Sequence, residues 1–163
     1  MAALSRGFTL LELLVVLVLA GLLLSLVSIN VSPSPEQRLA REAERLGQLF
    51  ALAADEARIS GRPIAWEADL KGYRFVTQVA GERRLLTGDD LLRERAWDEG
   101  LTRLAVIPAQ GEARTLLSAG APALSVPIAR EWVQPRWRLE LATRDHATAL
   151  EFDDAGRARL ASR

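Results

Sequence analysis

From Leu13 to Leu24 every residue is apolar or glycine, and the apolar character runs on past Ser25 and Ser28 to Val31. Counted from Phe8 this stretch is 24 residues long, enough at about 1.5 Å per residue to cross a hydrocarbon core of about 30 Å. It predicts one long helix that is hydrophobic on all sides. The pattern breaks at Asn30-Val31-Ser32-Pro33-Ser34-Pro35-Glu36-Gln37, where two prolines predict a bend between two helices. Ser34-Pro35-Glu36-Gln37 has the order of a capping box with proline at the first helical position. Beyond it Leu39, Ala43, Leu46, Phe50, Ala53 and Ala57 recur at steps of three to four residues, with Glu36, Arg41, Glu44, Arg45 and Asp55 falling elsewhere. That spacing predicts an amphipathic helix of about 25 residues ending near Ser60-Gly61, its apolar face packed on a sheet.

After Gly61 the period changes to two. Ile64, Trp66 and Ala68 alternate with more polar positions, Lys71-Gly72 reads as a turn, and Tyr73-Arg74-Phe75-Val76 completes a hairpin. Leu85 to Glu99 is charged and leucine-rich around a turn at Gly88-Asp89-Asp90, and Leu101 to Ile107 reads as a strand ended by Pro108. Gln110 to Pro127, rich in Gly, Ala and Pro, predicts a loop with one short strand at most. Trp137 to Leu141 alternates, and Ala149 to Phe152 and Arg157 to Leu160 flank a hairpin turn at Asp153-Asp154-Ala155-Gly156. Helices first and antiparallel strands after them define an α+β class.

A basic seven-residue leader containing Arg6 precedes the apolar run, and Glu12 is an acid near its head. A secretory signal has a core of about 7–15 apolar residues and then a small-residue cleavage site. Here the core is longer, and Ala20-Gly21 is followed by more leucine. A plain membrane anchor leaves Glu12 unexplained, because an ionised side chain at helix depth in a bilayer costs several kcal/mol, roughly, unless paired or near the interface. The α-amino group of Phe8, freed by a cut after Gly7, is one partner that would satisfy it.

Composition narrows the function classes. The chain holds 21 basic and 21 acidic residues, an intermixed balance that gives no reason to expect nucleic acid. With no cysteine, neither a disulfide nor a thiol nucleophile is available. His146 is the single histidine, so a His-rich zinc site or a Cys-His pair cannot form, and Asp145-His146 with Ser162 lacks any nucleophile elbow. The pairs Asp89-Asp90 and Asp153-Asp154 fall in turns, where carboxylates commonly cap backbone donors, and no spaced calcium loop surrounds either. No enzymatic activity, cofactor or metal is expected. Of the four tryptophans, Trp66 and Trp137 sit on alternating strands and are expected in the core. Trp97 and Trp132 lie near presumed loops and are the candidates for contact with a partner.

Gly7-Phe8-Thr9-Leu10-Leu11-Glu12 resembles the prepilin signal of type IV pilins and pseudopilins. The resemblance implies cutting after Gly7 by a prepilin peptidase, N-methylation of Phe8, and pairing of Glu12 with the amino terminus of its own or a neighbouring subunit during assembly. It implies a leader at 1–7, a membrane and filament stem at 8–31 and a periplasmic domain at 32–163, held by a single span in the bacterial inner membrane. The helix end Arg58-Ile59-Ser60-Gly61-Arg62-Pro63-Ile64, the segment Gly72-Tyr73-Arg74-Phe75 and the closing Leu150-Glu151-Phe152 with Asp154-Ala155-Gly156-Arg157 are similar to the H-class minor pseudopilins of type II secretion. Members of that class often carry Pro-Asp-Gly at the final turn, where this chain has Asp153-Asp154-Ala155-Gly156. The implied role is to help form or prime the tip of the pseudopilus that exports folded proteins across the outer membrane. Its partners would be the major and other minor pseudopilins and possible secreted cargo. Minor pilins of type IV pili, which serve pilus assembly, adhesion or DNA uptake, share the implied domain and stand as the alternative.

Overall fold

The computed structural model describes residues 9–28, 33–79, 81–86, 90–109, 115–117, 123–128 and 135–161. The chain divides into two compact units, Met1–Ser34 and Pro35–Arg163. In the first, helix α1 runs from Leu10 to Ser28. Of the predicted join at 30–37, residues 30–32 lie outside the described residues, Pro33 and Ser34 have no regular structure, and Pro35 opens the second helix.

The second unit is α+β. Helix α2 spans Pro35–Ser60, beginning on the predicted proline and ending before Gly61, whose φ of 66° is the left-handed conformation that closes many helices. All six apolar positions of the predicted stripe are buried. The first sheet holds β1 (Ile64–Ala68), β2 (Gly72–Val79), β3 (Glu82–Leu85), β4 (Arg95–Ala96) and β7 (Leu124–Ile128), in the order β3-β2-β1-β7 with β4 also on β2. The second holds β5 (Arg103–Pro108), β6 (Thr115–Leu117), β8 (Trp137–Ala142), β9 (Ala147–Phe152) and β10 (Ala158–Leu160), in the order β10-β9-β8-β5-β6. The chain leaves the second sheet after β6, places β7 on the first beside β1, and returns as β8 beside β5. The two sheets are therefore interlocked by connectivity, and α2 packs on both.

Three differences from the sequence expectations have physical causes. The region Gln110 to Pro127 contributes two strands, because edge pairing on β5 and β1 supplies backbone partners that its Gly, Ala and Pro content does not advertise. Pro127 is tolerated there because β7 is an edge strand, where a missing donor costs least. The Leu85–Glu99 region begins on the last residue of the short strand β3 and contains the short strand β4, both paired to β2. Gly81, with φ of 86°, makes the unpredicted turn into β3. The expected turn at Gly88-Asp89-Asp90 lies largely outside the described residues, which begin again at Asp90.

Phe50 joins the layers. Its ring lies 5.3 Å from Trp66 and 6.2 Å from Phe75 of the first sheet, and 5.4 Å from Trp137 and 5.1 Å from Phe152 of the second. Trp137 and Phe152 are cross-strand partners stacked at 3.9 Å with an interplanar angle of 2°. Trp66 is fully buried and Trp137 partly so, both against this cluster. Truncating Phe50 to Ala opens a void that neither sheet can close without moving the other. Unfolding followed by denaturant should show a loss of about 3–5 kcal/mol, and a loss below about 1 kcal/mol would show that the cluster is not a shared keystone.

The contact between α2 and β10 depends on Gly47. A Cβ placed there meets the Cβ of Ala158 at 2.8 Å, and both belong to paired backbone elements with little room to give. Gly47→Val should lower stability by about 1–3 kcal/mol through overpacking, with valine's helix propensity contributing little in either direction relative to glycine. Thermal unfolding of the full chain in detergent measures it, and an unchanged midpoint would refute the close approach.

Candidate functional site

Two regions carry unusual chemistry, one in each unit. At the head of α1, Thr9 is the N-cap: its hydroxyl accepts the Glu12 backbone N–H at 3.3 Å, and its carbonyl accepts those of Glu12 and Leu13 at 3.1 and 3.2 Å. Thr9-Leu10-Leu11-Glu12 is thus a cap followed by an acid at the third helical position, the order of a capping box. The helix start expected at Phe8 takes no account of this cap, for which the Thr-x-x-Glu spacing is the sequence signal. Glu12 is exposed in the first turn, where the unsatisfied N–H groups give the helix end a partial positive charge. Gly7 and Phe8, the expected cleavage and methylation residues, lie outside the described residues.

Behind Glu12 the helix displays apolar side chains all round. Leu10, Leu11 and Leu17 are among eleven large hydrophobics from Leu10 to Leu23 that are exposed. A helix hydrophobic on every side belongs in a membrane or among other helices. At about 1.5 Å per residue its 19 residues reach about 28 Å, and among the described residues no helix is long and apolar enough to cross a membrane.

In the globular unit, the β4–β5 connection is fastened to α2 and to the β1–β2 turn. Trp97 is 6% exposed, packs its ring against Tyr73 at 4.7 Å with the planes tilted by 46°, and donates its indole N–H to the Asp69 carbonyl at 2.7 Å. The expectation that Trp97 faces a partner is therefore corrected: a loop position in sequence became a core position because Tyr73 and the Asp69 carbonyl satisfy both its ring and its donor. Trp132 lies outside the described residues. Next to Trp97, the exposed Asp98 donates its backbone N–H to both carboxylate oxygens of Glu42, at 3.1 and 3.2 Å, and Glu99 pairs with Arg38 of α2 at 3.0 Å. Glu42 is 5% exposed. Burial, opposed by the Asp98 hydrogen bond, pushes its carboxyl up to about 7. Its place in the sequence could have exposed it, since Leu39, Glu42, Ala43 and Leu46 share one helical face and an acid there must be buried.

Elsewhere charges are paired locally. Glu67, 6% exposed on the outer face of β1, accepts Arg74 at 2.9 Å and Arg83 at 2.9 Å, a cluster that ties β1, β2 and β3 together. In the final turn Asp153 Oδ1 accepts the backbone N–H groups of Ala155 and Arg157 at 3.0 and 2.9 Å, and Oδ2 accepts Arg157 Nε at 2.9 Å. The Arg157 backbone N–H, foremost among these, holds the Asp153 carboxyl below its ordinary range. Asp154 contacts Arg136 at 3.4 Å. An open cleft of about 620 Å³ beside this turn is lined by Trp137 and by arginines interleaved with acids. The half-buried His146 closes the β8–β9 turn, its backbone bonded to Thr143 at 2.9 and 3.2 Å. Among the described residues, no three His, Asp or Glu side chains are placed to hold a metal ion. Chemically these arrangements fasten turns and layers; none sets a base beside a nucleophile.

Residues 3–28 match the family model of the prokaryotic N-terminal methylation motif. The type II secretion system protein H of Pseudomonas aeruginosa is 34% identical over 83 residues, which cover 50% of this chain and 48% of that protein. The match thus spans about half the length of each. Among solved structures, the minor pseudopilin EpsH from the type 2 secretion system of Vibrio cholerae aligns with 74% of this chain and 93% of its own, at 16% identity and a TM-score of 0.47.

Proposed function

We propose that this chain, whose N-terminus carries the methylation motif of pilin-like proteins, is an H-class minor pseudopilin of type II secretion. The observation that carries the proposal is the motif at residues 3–28, which takes in a helix whose large hydrophobic side chains behind Glu12 are exposed. Its likeness to a secretion system protein H over 83 residues supports the class. In this reading a prepilin peptidase cuts after Gly7 and Phe8 is methylated. The apolar run from Phe8 to Val31, longer than the described helix, is the inner-membrane span and later the filament stem, and the α+β unit stands in the periplasm. The protein then joins the major and other minor pseudopilins near the tip of the rod, where secreted proteins are the possible cargo.

The division of labour follows from the two units. Stems associate through unspecific apolar packing, so an acid–amine pair between Glu12 and an amino terminus sets axial register at some cost in stability. The domain contributes shape through clefts and paired charges, not catalysis.

The test is to delete the gene, restore it in the native host, and follow release of folded exoproteins while recording intact mass and crosslinked neighbours of the membrane-extracted protein. Loss of residues 1–7, one added methyl and crosslinks to secretion pseudopilins are expected, with secretion restored. The same processing with crosslinks to pilus subunits and unaffected secretion would overturn the reading.

A further inference from the structure

We propose that the outward face of the second sheet, where Arg138 and Arg159 flank Glu151, is a docking site for an extended polypeptide segment that carries an acidic side chain close to an apolar one. The inference concerns the globular unit alone and does not rest on the pseudopilin reading. Its basis is strand register. Ile107 of β5, Arg138 of β8, Glu151 of β9 and Arg159 of β10 are successive cross-strand partners. Side chains alternate between faces along a strand, so the neighbouring Leu139 and Leu150, buried in the core, leave this row on the opposite face. Two residues along, Arg136, Asp153 and Arg157 continue the pattern. There the Ala109 N–H donates to the Arg136 carbonyl at 2.9 Å, and the Asp153 N–H to the Arg157 carbonyl at 3.1 Å.

On this face the acids are fewer than the arginines and unequally engaged. Arg136, Arg138, Arg157 and Arg159 line the cleft of about 620 Å³ against Glu151, Asp153 and Asp154, although the whole chain is balanced at 21 basic and 21 acidic residues. Asp153 is engaged at both oxygens, by two backbone N–H groups and by Arg157 Nε at 2.9 Å. Asp154 reaches Arg136 only at 3.4 Å, and Glu151 reaches Arg138 only at 3.7 Å. Both distances exceed the roughly 2.7–2.9 Å of a charge-assisted hydrogen bond, and exposed pairs of this kind contribute little. Arg138 Nε is buried with no hydrogen-bond partner among the described residues, so its guanidinium is loosely tied and can turn toward a better acceptor. Arg159 is exposed and belongs to none of the ion pairs among the described residues.

A further carboxylate placed between Arg138 and Arg159 gains two guanidinium groups, whose planar forks match it, and meets one competing charge, that of Glu151. A lone anion would leave the rest of the cleft unused. Ile107, Pro108 and Ala109 supply an apolar wall, and the volume falls within the range of about 300–1,000 Å³ that encloses ligands much larger than an ion. Neighbouring strands are about 4.8 Å apart, so Ile107 lies one strand from Arg138 and two from the midpoint of the arginines. Two residues of an extended chain span about 7 Å and project to the same side. The occupant is therefore a segment whose acid and apolar residue stand two positions apart, the acid on the arginines and the apolar side chain on Ile107.

Titrating the full chain, held in a non-ionic detergent, with the blocked peptide Leu-Ser-Glu-Ser-Leu-Ser-Glu while following the arginine Nε–H magnetic resonances tests the site. Saturable shifts of the Arg138 and Arg159 signals are expected. Arg138→Gln or Arg159→Gln should weaken binding by about tenfold or more. Glu151→Gln, which removes the competing carboxylate, should tighten it by about threefold, and Arg41→Gln on the exposed side of α2 should leave it unchanged. The site is overturned by an absence of saturable shifts, by equal binding of the peptide with glutamine in place of glutamate, by an equal loss in Arg41→Gln, or by weaker binding in Glu151→Gln. Inorganic phosphate binding as tightly as the peptide would leave a plain anion site and overturn the polypeptide assignment. If an arginine variant does not fold, Glu151→Gln and the glutamine peptide decide.

Discussion

Glu12→Val should be inserted into the membrane and cut after Gly7 like the wild type, yet secretion should fall to the level of a strain lacking the gene. Locally the change is small. Thr9 still caps α1, since its hydroxyl and carbonyl bond to backbone N–H groups that the substitution leaves in place. The loss at the helix terminus is about 0.3–1 kcal/mol of charge–dipole energy, offset in lipid by a more apolar side chain. Assembly is different. An amino terminus that enters a packed stem bundle without its carboxylate is an uncompensated buried charge, and breaking such a pair costs about 3–5 kcal/mol. A deficit of that size lowers incorporation by a factor of about 100 or more. Fractionation, intact mass and an exoprotein assay separate the steps, and undiminished secretion would remove Glu12 from the assembly mechanism. Glu12→Gln, isosteric but neutral, should fail nearly as badly if charge and not size is what matters.

Replacing Gly7 with leucine should have an equally large effect at an earlier step. The proposed cut needs the peptidase to approach the Gly7 carbonyl closely, and glycine presents no Cβ to hinder it. Without the cut no α-amino group forms at Phe8, no methyl can be added, and Arg6 stays attached as a positive charge at the membrane surface, where basic residues hold the cytoplasmic side. Glu12 then has no terminal amine to meet. Intact mass should show residues 1–7 retained in nearly all molecules, with secretion lost. Normal processing of Gly7→Leu would end the cleavage assignment and, with it, the physical reason given for Glu12.

Residues 7–12 and the contact between Glu42 and Asp98 differ in how far the sequence alone reveals them. Residues 7–12 can be interpreted without coordinates because the chemistry proposed for them is local: a small residue, the amine that the proposed cut would free, and an acid four residues on from Phe8. The apolar stripe of α2 and the alternation of β1, β2, β8 and β9 were legible for the same reason, since period 3.6 and period 2 arise from neighbours along the chain. Trp97 shows the opposite case. Its sequence neighbours suggested a surface loop, but its ring packs on Tyr73 and its N–H reaches Asp69, 28 residues away in the chain. Glu42 was half legible: the stripe places it inward, while the donor that makes burial tolerable, Asp98, lies 56 residues on.

By itself the sequence determined the apolar first helix, the N-terminal methylation motif, the two-helix start and the α+β class, because each depends on the order of residues close together in the chain. Tertiary structure alone decided that two interlocked sheets share α2, that Phe50 sits between them, that the Gln110–Pro127 region donates strands to both sheets, and that a carboxylate on α2 holds a loop by one backbone N–H. These depend on pairings between distant segments. Edge hydrogen bonds and burial supply the energy for them only once the chain has folded, so no local pattern records them.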